Sequence, residues 1–153
     1  MAELTEVVRA LHEVLLAEDG LVDIDDEASG ERIAEVLREV AEPDFECVMV
    51  ASGGGAGLRA ERRGVGGFLD SWRDWAGAFD RMRIEPERLI EAGDSVVELD
   101  RMSGTSRGTS AEVVNRVGAV WTFSDGRLSR VEFHLDRAEA LRAAGLDPQS
   151  SQE

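Results

Sequence analysis

The sequence contains no lysine and no tyrosine, and it has a single cysteine, Cys47. Without lysine there is no lysine Schiff base and no P-loop, whose motif ends in lysine. One cysteine cannot form an intrachain disulfide or a cysteine-based metal cluster, so we expect a buried free thiol. Neither His12 nor His134 has a histidine or cysteine near it at metal-ligand spacing. We therefore predict no metal and no cofactor.

Long apolar runs are also absent, and the charge is strongly negative. No run approaches the ~20 residues that span a bilayer, and the first residues lack the basic start and apolar core of a signal peptide. Residues 1–50 carry a net charge of −12 out of −15 for the chain. Nucleic acid and anionic membranes need a basic surface, so we expect neither as a partner. A cytoplasmic location is the expectation, and arginine as the only basic residue besides histidine is typical of a GC-rich bacterial genome.

The first half of the chain has helical periodicity. The 153 residues suit one domain, which we place at residues 1–146, followed by a polar and disordered tail at 147–153. Apolar residues recur every three to four positions in three segments. The predicted helices are 3–17, a second from a cap at Ser29 to Pro43, and 65–79. Between them we predict an acidic loop at 23–27, a short strand at 45–50 and a glycine-rich loop at 52–63.

The second half of the chain changes to the two-residue period of strands. Pro86 interrupts the first predicted strand and favours an edge or a bulge. Asp136 caps a closing helix that ends at Gly145. The predicted strands are 81–91, 95–104, 111–123 and 127–135, and the closing helix is 137–144. Helices followed by an antiparallel meander predict an α+β fold, with helices on one face of a curved antiparallel sheet.

Four short motifs carry a family resemblance. The segments Arg62–Leu69, Glu91–Val97, Trp121–Leu128 and Asp136–Leu141 resemble motifs of the SnoaL-like, ketosteroid-isomerase-like superfamily, in the same order. The resemblance covers residues from about 31 to 146. It implies a cone, in which a bent sheet wraps helices around a pocket and often dimerises through its outer face. The superfamily includes isomerases, polyketide cyclases, epoxide hydrolases and members of unknown activity, so the fold alone does not give the function.

The known mechanisms of these enzymes do not fit the residues present. Ketosteroid isomerases use an aspartate base with a tyrosine and a protonated aspartic acid as hydrogen-bond donors to the oxyanion. Here tyrosine is absent, and the two aspartate positions align near Met49 and Ala119. Limonene-type epoxide hydrolases use an Arg-x-Asp pair, whereas Asp100 and Arg101 are adjacent in a strand and point to opposite faces. We therefore predict no ketosteroid-isomerase activity.

Three other motif matches lack the neighbouring residues or elements that their chemistry requires. Gly104–Gly108 matches G-x-S-x-G around Ser106, and Asp125 and His134 follow in triad order. A nucleophile elbow needs a helix after the serine, but a strand follows here, so we predict a hairpin loop and no nucleophilic role. The glycines at 53–55 and 64–67 lack the remainder of the P-loop and dinucleotide-binding motifs.

Strand alternation suggests which residues line a pocket. We expect the odd-numbered residues from Val113 to Phe123, with Val131, Phe133 and Leu135, on the concave face. Arg101, on the face of Val97 and Leu99, and Asn115 are then candidate polar residues inside the cone, where a buried arginine needs a carboxylate or an anionic ligand. Aromatic side chains either line the pocket or fill it as core. The candidate ligand-binding residues are Trp72, Trp75, Arg101, Asn115, Trp121 and Phe133.

The sequence leaves three functions open. The first is a pocket, mostly apolar, for a small organic ligand without catalysis; the second is an isomerase, polyketide cyclase or hydratase that uses an unrecognised acid or base, and the third is protein interaction alone. The candidates for the acid or base are His12, beside the apolar stripe of the first helix, and an acid near the pocket mouth, although a boundary position is the simpler interpretation of His12. We assign no catalytic residue. Arg130, Glu132 and His134 are expected on the convex face, through which we predict a homodimer.

Overall fold

The helices and strands follow one another along the chain in the order that the periodicity predicts, with one additional strand. The structure is a computed structural model and describes residues 4–16, 27–50 and 59–147. The helices are α1 Leu4–Leu15, α2 Glu27–Val40, α3 Gly64–Ala76 and α4 Arg137–Ala143. The strands are β1 Ala41–Val50, β2 Arg59–Arg63, β3 Phe79–Ala92, β4 Ser95–Ser106, β5 Glu112–Ser124 and β6 Arg127–His134.

The element boundaries differ from prediction where a strand follows a helix directly. Ser29 does not cap α2, because the helix begins at Glu27 and Ser29 is buried in its first turn. Pro43 lies inside β1. The end of the predicted loop, Arg59–Arg63, forms β2 and pairs with β1. Most of the acidic loop, the loop residues 52–58 and the tail from residue 148 lie outside the described residues.

One open sheet contains all six strands, in the order β2-β1-β6-β5-β4-β3. Every neighbouring pair is antiparallel except β1 and β6, which are parallel, with Cys47 opposite Val131. The sheet is therefore mixed, which corrects the purely antiparallel prediction, although the meander from β3 to β6 is antiparallel throughout. Parallel pairing is possible because the chain between β1 and β6 includes a helix and four strands, which is long enough for a crossover.

Irregularities in the ladder give the sheet its bend. The register of β3 against β4 shifts between Phe79 and Arg81 and again between Pro86 and Arg88. A bulge bends its strand and increases the local twist. Pro86 thus lies at a bulge on an edge strand, as its missing N–H requires and as the sequence predicts.

The main core lies between the concave face of the sheet and the first three helices. The amphipathic stripe of α1 buries Val8, Leu11 and Leu15 against α2, β3 and β4. Aromatic residues of α3 meet the sheet in a continuous cluster, with Phe68 between Phe45 and Phe133 at ring-centroid distances of 6.2 and 6.1 Å.

The closing helix packs on the opposite, convex face. Val97 and Leu99 form a small second core with Leu141 of α4. The helix approaches the sheet so closely at Gly118 that a Cβ there would lie 2.6 Å from the Ala140 Cβ. Asp136 caps α4 by accepting a hydrogen bond from the Ala138 N–H at 2.9 Å, as predicted. Helices therefore cover both faces of the sheet, not one.

Candidate active site

A pocket lies between α1, α3 and the concave face of strands β3 to β6. Its aromatic side is formed by Trp72, Trp75, Trp121 and Phe133. Trp72 and Trp121 both meet Phe133 edge-on, at centroid distances of 5.2 and 5.8 Å. Aliphatic residues complete the apolar lining: Leu15, Leu16, Ile84 and Val117.

The aromatic side chains nearly fill this space. The volume open to the centre of a water-sized sphere is about 10 Å³, which is room for about one water molecule. A larger ligand can enter only if side chains such as Trp75, which is half-buried, change rotamer. The four aromatic residues therefore serve both as pocket walls and as core filling.

A histidine and a glutamate from distant parts of the chain meet in this pocket. His12 of α1 and Glu98 of β4 approach to 2.8 Å between Nε2 and Oε1. The Trp121 Nε1–H donates to the same Glu98 oxygen at 2.9 Å. The Glu98 side chain is 4% exposed and that of His12 13%, so the pair is shielded from solvent.

The pair shifts the pKa values of both partners towards the charged forms. Burial alone would lower the His12 pKa, but attraction to Glu98 and the hydrogen bond outweigh it, so the pKa is raised above 6.5. Burial alone would raise the Glu98 pKa, yet His12 and the hydrogen bonds from Asp100 and Trp121 lower it. The pairing therefore favours the imidazolium form of His12 and the carboxylate form of Glu98.

Asp100 adds a second buried carboxyl group two residues along β4. Because side chains two apart in a strand share a face, Asp100 lies beside Glu98 on the pocket side. Burial, and then the charge of Glu98, raise its pKa well above 3.8, and the two carboxyl groups are hydrogen-bonded. Burial and the neighbouring charge therefore favour the neutral form of Asp100, which can donate a hydrogen bond to Glu98.

Two polar atoms of the pocket residues have no hydrogen-bond partner among the residues that the structure describes. They are Oδ1 of Asp100 and the Nε1–H of Trp72, and both are buried. A buried polar atom without a partner costs about 1–3 kcal/mol, so such atoms are uncommon in folded proteins. The pocket thus presents one unused acceptor and one unused donor.

The structure corrects the placement of two sequence-predicted pocket residues. Arg101 lies on the convex face, exposed, and its Nη1 is 3.6 Å from Glu85 Oε1. It does share a face with Val97 and Leu99, but that face packs on α4. Asn115 is on the concave side of β5, yet it lies beyond the helices and is exposed. The other four predicted residues line the pocket, and their ligand-binding role stays a prediction.

The candidate site residues missed from the sequence, Glu98 and Asp100, were hidden by burial on both sides of β4. Val96 to Asp100 are all buried, because the concave face meets α1 and the convex face meets α4. Apolar and polar residues therefore do not alternate cleanly along β4. The sequence prediction consequently placed the odd-numbered residues of β4 on the concave face, where the even-numbered residues lie. The usable signal was Glu98 and Asp100 themselves, since two acids in an apolar run need partners inside the fold.

The second histidine lies on the other side of the sheet. His134 Nε2 is 3.1 Å from Glu132 Oε2, and Arg130 bonds both Glu132 and Glu46. These residues share the face predicted, but His134 is only 7% exposed in the single chain. Their role in an interface between copies stays a prediction.

The triad order Ser106, Asp125, His134 does not correspond to a site. His134 lies on the same rung of the sheet as Gly118 and Leu99. Ser106 is seven residues further along β4, which places it roughly 20 Å away at about 3.3 Å per residue. His134 bonds Glu132 instead. Serine activation by His134 is thereby excluded, as predicted.

Within the described ranges, no group of three or more histidine, cysteine or acidic residues is placed to hold a metal ion. Cys47 is buried, and burial raises the pKa of its thiol to about 11. None of the described helices is long and apolar enough to cross a bilayer.

Comparison with known proteins identifies the family. The SnoaL-like domain model matches residues 26–131. The chain belongs to this family. No curated protein is similar enough to match.

Solved structures share the fold across nearly the whole chain. An NTF2-like protein of unknown function from Burkholderia pseudomallei is 23% identical, with a TM-score of 0.61 and coverage of 93% of this chain and 97% of that one. A putative SnoaL-like polyketide cyclase from Jannaschia is 18% identical, with a TM-score of 0.60 and 84% coverage of each chain. TerC, co-crystallized with polyporic acid, is 22% identical, with a TM-score of 0.59 and coverage of 92% and 97%. At these identities the likeness establishes the α+β cone fold.

Proposed function

We propose that this SnoaL-like domain binds a small organic molecule in the aromatic pocket and catalyses proton transfer on it, as in an isomerisation, cyclisation or dehydration. The observation that carries the proposal is the cluster of His12, Glu98 and Asp100 on the pocket wall. A strongly perturbed set of titratable groups in an apolar cleft is the usual mark of an acid–base site.

The His12–Glu98 pair suits coupled donation and acceptance of protons. Glu98 fixes the proton on Nε2 of His12, so Nδ1 is the nitrogen through which the ring would donate to a ligand oxygen. The Glu98 pKa is low mainly because the imidazolium is present. Once His12 gives up its proton, burial raises the Glu98 pKa, and the carboxylate becomes able to take a proton from the ligand.

This sequence of transfers keeps the net charge of the cluster constant. It begins as imidazolium, carboxylate and neutral Asp100, and it ends as imidazole and two neutral carboxyl groups. For a ketone, a proton would reach the carbonyl oxygen while another leaves the adjacent carbon, which gives the enol. No net charge needs to be created in a pocket that excludes water, where isolated charge is costly.

The relatives support a small-molecule role. A fold neighbour is a putative polyketide cyclase, and TerC was co-crystallized with polyporic acid. The acid–base residues proposed here differ from the tyrosine and aspartate set of ketosteroid isomerases, which this chain lacks. We therefore do not propose steroid isomerisation.

Binding without catalysis is the second candidate. It is favoured by the mostly apolar, aromatic lining of the pocket, which suits an organic ligand whether or not a reaction follows. It differs from the first proposal in one respect: the ionisable cluster would then serve stability and would have no effect on turnover.

Deuterium exchange separates the two candidates. The methyl protons of 4-hydroxyacetophenone exchange with D₂O through the enol, and NMR follows the loss of their signal. Catalysed exchange is expected with the native chain, and a fall of about 10²–10⁴ in His12→Gln, the range for an acid–base group. Exchange should decline as pH rises through the raised His12 pKa, since His12 must be protonated to donate.

Glu132→Gln is the matched control, because it removes a carboxylate bonded to the other histidine, outside the pocket. It should leave the exchange rate unchanged. Bound probe without catalysed exchange, or equal exchange in native and His12→Gln proteins, would reject catalysis of this reaction class and leave the binding role.

A further inference from the structure

The unused donor and acceptor in the pocket define what a ligand must carry. The Trp72 Nε1–H is buried, has no partner in the described part of the chain and can only donate. Oδ1 of Asp100 is also buried and has no partner among the same residues. Since Asp100 is 5% exposed and lines the pocket, its carboxyl group is enclosed beside the site where a ligand would bind.

The orientation of the Asp100 proton gives Oδ1 its role. Asp100 is hydrogen-bonded to Glu98, whose charge is held by His12. Two neighbouring carboxyl groups share a hydrogen bond only if one is protonated, and the proton lies between them. We assign the shared proton to Oδ2 because Oδ1 has no partner among the described residues, so Oδ1 is a carbonyl-type acceptor to which a ligand can donate.

The charge of the cluster restricts the ligand further. Glu98 is paired with His12, and Asp100 is kept neutral because a second anion next to Glu98 is unfavourable. A carboxylate ligand would introduce that second anion in the same enclosed space. The aromatic walls meanwhile favour a flat apolar body that can stack or pack edge-on.

We propose that the ligand class is a compact, neutral, flat molecule that carries both a hydroxyl and a carbonyl group, the hydroxyl donating to Asp100 Oδ1 and the carbonyl accepting from Trp72 Nε1. This inference deepens the proposed function and rests on the same pocket. It adds two positioning contacts that acid–base turnover by itself does not require.

Matched probes test the inference by binding, without turnover. The set is 4-hydroxyacetophenone and its 3-hydroxy isomer, acetophenone, phenol and 4-hydroxybenzoate, titrated by calorimetry or tryptophan fluorescence. The hydroxy-ketones should bind best. Removal of either group should weaken binding roughly three- to tenfold, the value of one hydrogen bond, and the anionic benzoate should bind worst.

Two variants assign each group to its partner. Trp72→Phe keeps a ring but removes the donor, so it should weaken the hydroxy-ketones and acetophenone three- to tenfold while phenol is unaffected. Trp75→Phe changes a second tryptophan of the same wall and is the control, since its N–H is not among the buried atoms without a partner. It should not discriminate between the probes.

Asp100 is tested by rescue. Asp100→Asn keeps an acceptor oxygen and supplies an N–H to Glu98, which mimics the neutral acid, so affinity for the hydroxyl probes should be retained. Asp100→Leu should weaken phenol and the hydroxy-ketones but not acetophenone. Circular dichroism and melting curves identify any variant that fails to fold, and the Asn variant keeps the test valid in that case.

Failure of this inference is distinguishable from failure of the proposed function. Equal affinity of all neutral probes for native, Trp72→Phe and Asp100→Leu proteins would overturn the inference, as would absence of binding by every probe or preference for the benzoate. The discriminating pattern without His12-dependent deuterium exchange would support the inference and reject acid–base turnover.

Discussion

Replacement of Glu98 by glutamine should reveal the His12–Glu98 pair through its pH dependence. The substitution keeps the size of the side chain and an acceptor oxygen for Trp121, which lies 2.9 Å from Oε1. It removes only the negative charge that raises the His12 pKa. Burial is then the largest influence on the histidine, so the His12 pKa should fall.

The magnitude follows from what the remaining histidine can do. Breaking a buried ion pair by removing one partner costs about 3–5 kcal/mol when the other charge stays buried. Here His12 can instead lose its proton, and one pKa unit corresponds to about 1.36 kcal/mol. Because that route limits the cost, we expect the free energy of unfolding to fall by about 1–3 kcal/mol at pH 6.

The sign of the pH dependence is set by the direction of the shift. His12 has a raised pKa in the folded state, so its pairing stabilises fully below the unfolded value near 6.5 and is lost as pH rises through the folded value. Asp100 also has a raised pKa, so its ionisation beside Glu98 weakens the native protein at high pH. The difference between native and Glu98→Gln proteins should therefore shrink as pH rises.

Urea unfolding from pH 5.5 to 9.5, with an NMR titration of the His12 ring, measures both effects. Glu132→Gln is again the control, and it should leave the His12 titration unchanged. A Glu98→Gln protein in which the His12 pKa is unchanged, or whose loss of stability is the same at pH 6 and pH 9, would show that the pair does not exist as described.

Three further predictions concern the convex face. Gly118→Val should lower the free energy of unfolding by about 1–3 kcal/mol in thermal or urea unfolding, because a Cβ at that site would lie 2.6 Å from the Ala140 Cβ. Gly66→Ala is the control, because a Cβ there has nothing within 4 Å. Equal effects of the two substitutions would contradict the close packing of α4. The Glu132 pKa is lowered to about 2, first by its hydrogen bond with His134 and then by Arg130, so stability present above about pH 4.5 should be lost as pH falls towards 2. In Glu132→Gln the decrease in the free energy of unfolding between pH 4.5 and pH 2 should be smaller by on the order of 1–3 kcal/mol, after allowance for solvent screening. The same decrease in the native and variant proteins, measured by urea unfolding, would refute this prediction. Val114 of β5 is 50% exposed, and no other large apolar side chain of the described residues is as exposed. Val114→Glu should therefore dissociate the proposed homodimer, as measured by light scattering. A native protein that is already a monomer at micromolar concentration would contradict this prediction.

Much of the fold was predictable because the local patterns agree with the tertiary structure. The stripe of α1, the bulge at Pro86 and the Asp136 cap each follow from local chemistry, and the structure shows all three. The parallel pairing of β1 with β6 was not predictable in this way. Strand pairing between residues about 85 positions apart leaves no local pattern, and the sequence of β1 does not indicate whether it pairs in a parallel or an antiparallel direction.

The site was less predictable, because its residues become polar neighbours only through the fold. His12 and Glu98 are 86 residues apart and belong to a helix and a strand. Periodicity places each residue on a face of its own element, but not against a partner. His12 was recognised as a possible acid or base, whereas Glu98 was not considered, since its strand is buried on both sides.

The same double burial of β4 explains why the cluster is both hidden in the sequence and strongly coupled in the structure. α1 covers the concave side, where Glu98 and Asp100 lie, and α4 covers the convex side through Leu141. Arg137 of α4 donates to the backbone oxygen of Asp100 at 2.7 Å from the far side of the strand. The two acids thus sit on a strand held from both faces, in a space where only one of them can be charged. Displacement of α4 by Gly118→Val should therefore disturb the pocket as well as the second core. The His12 titration should shift in that variant even though a side chain at position 118 points away from the pocket, towards Ala140 of α4. An unchanged His12 pKa in a folded Gly118→Val protein would show that the convex helix stabilises the sheet without influencing the site.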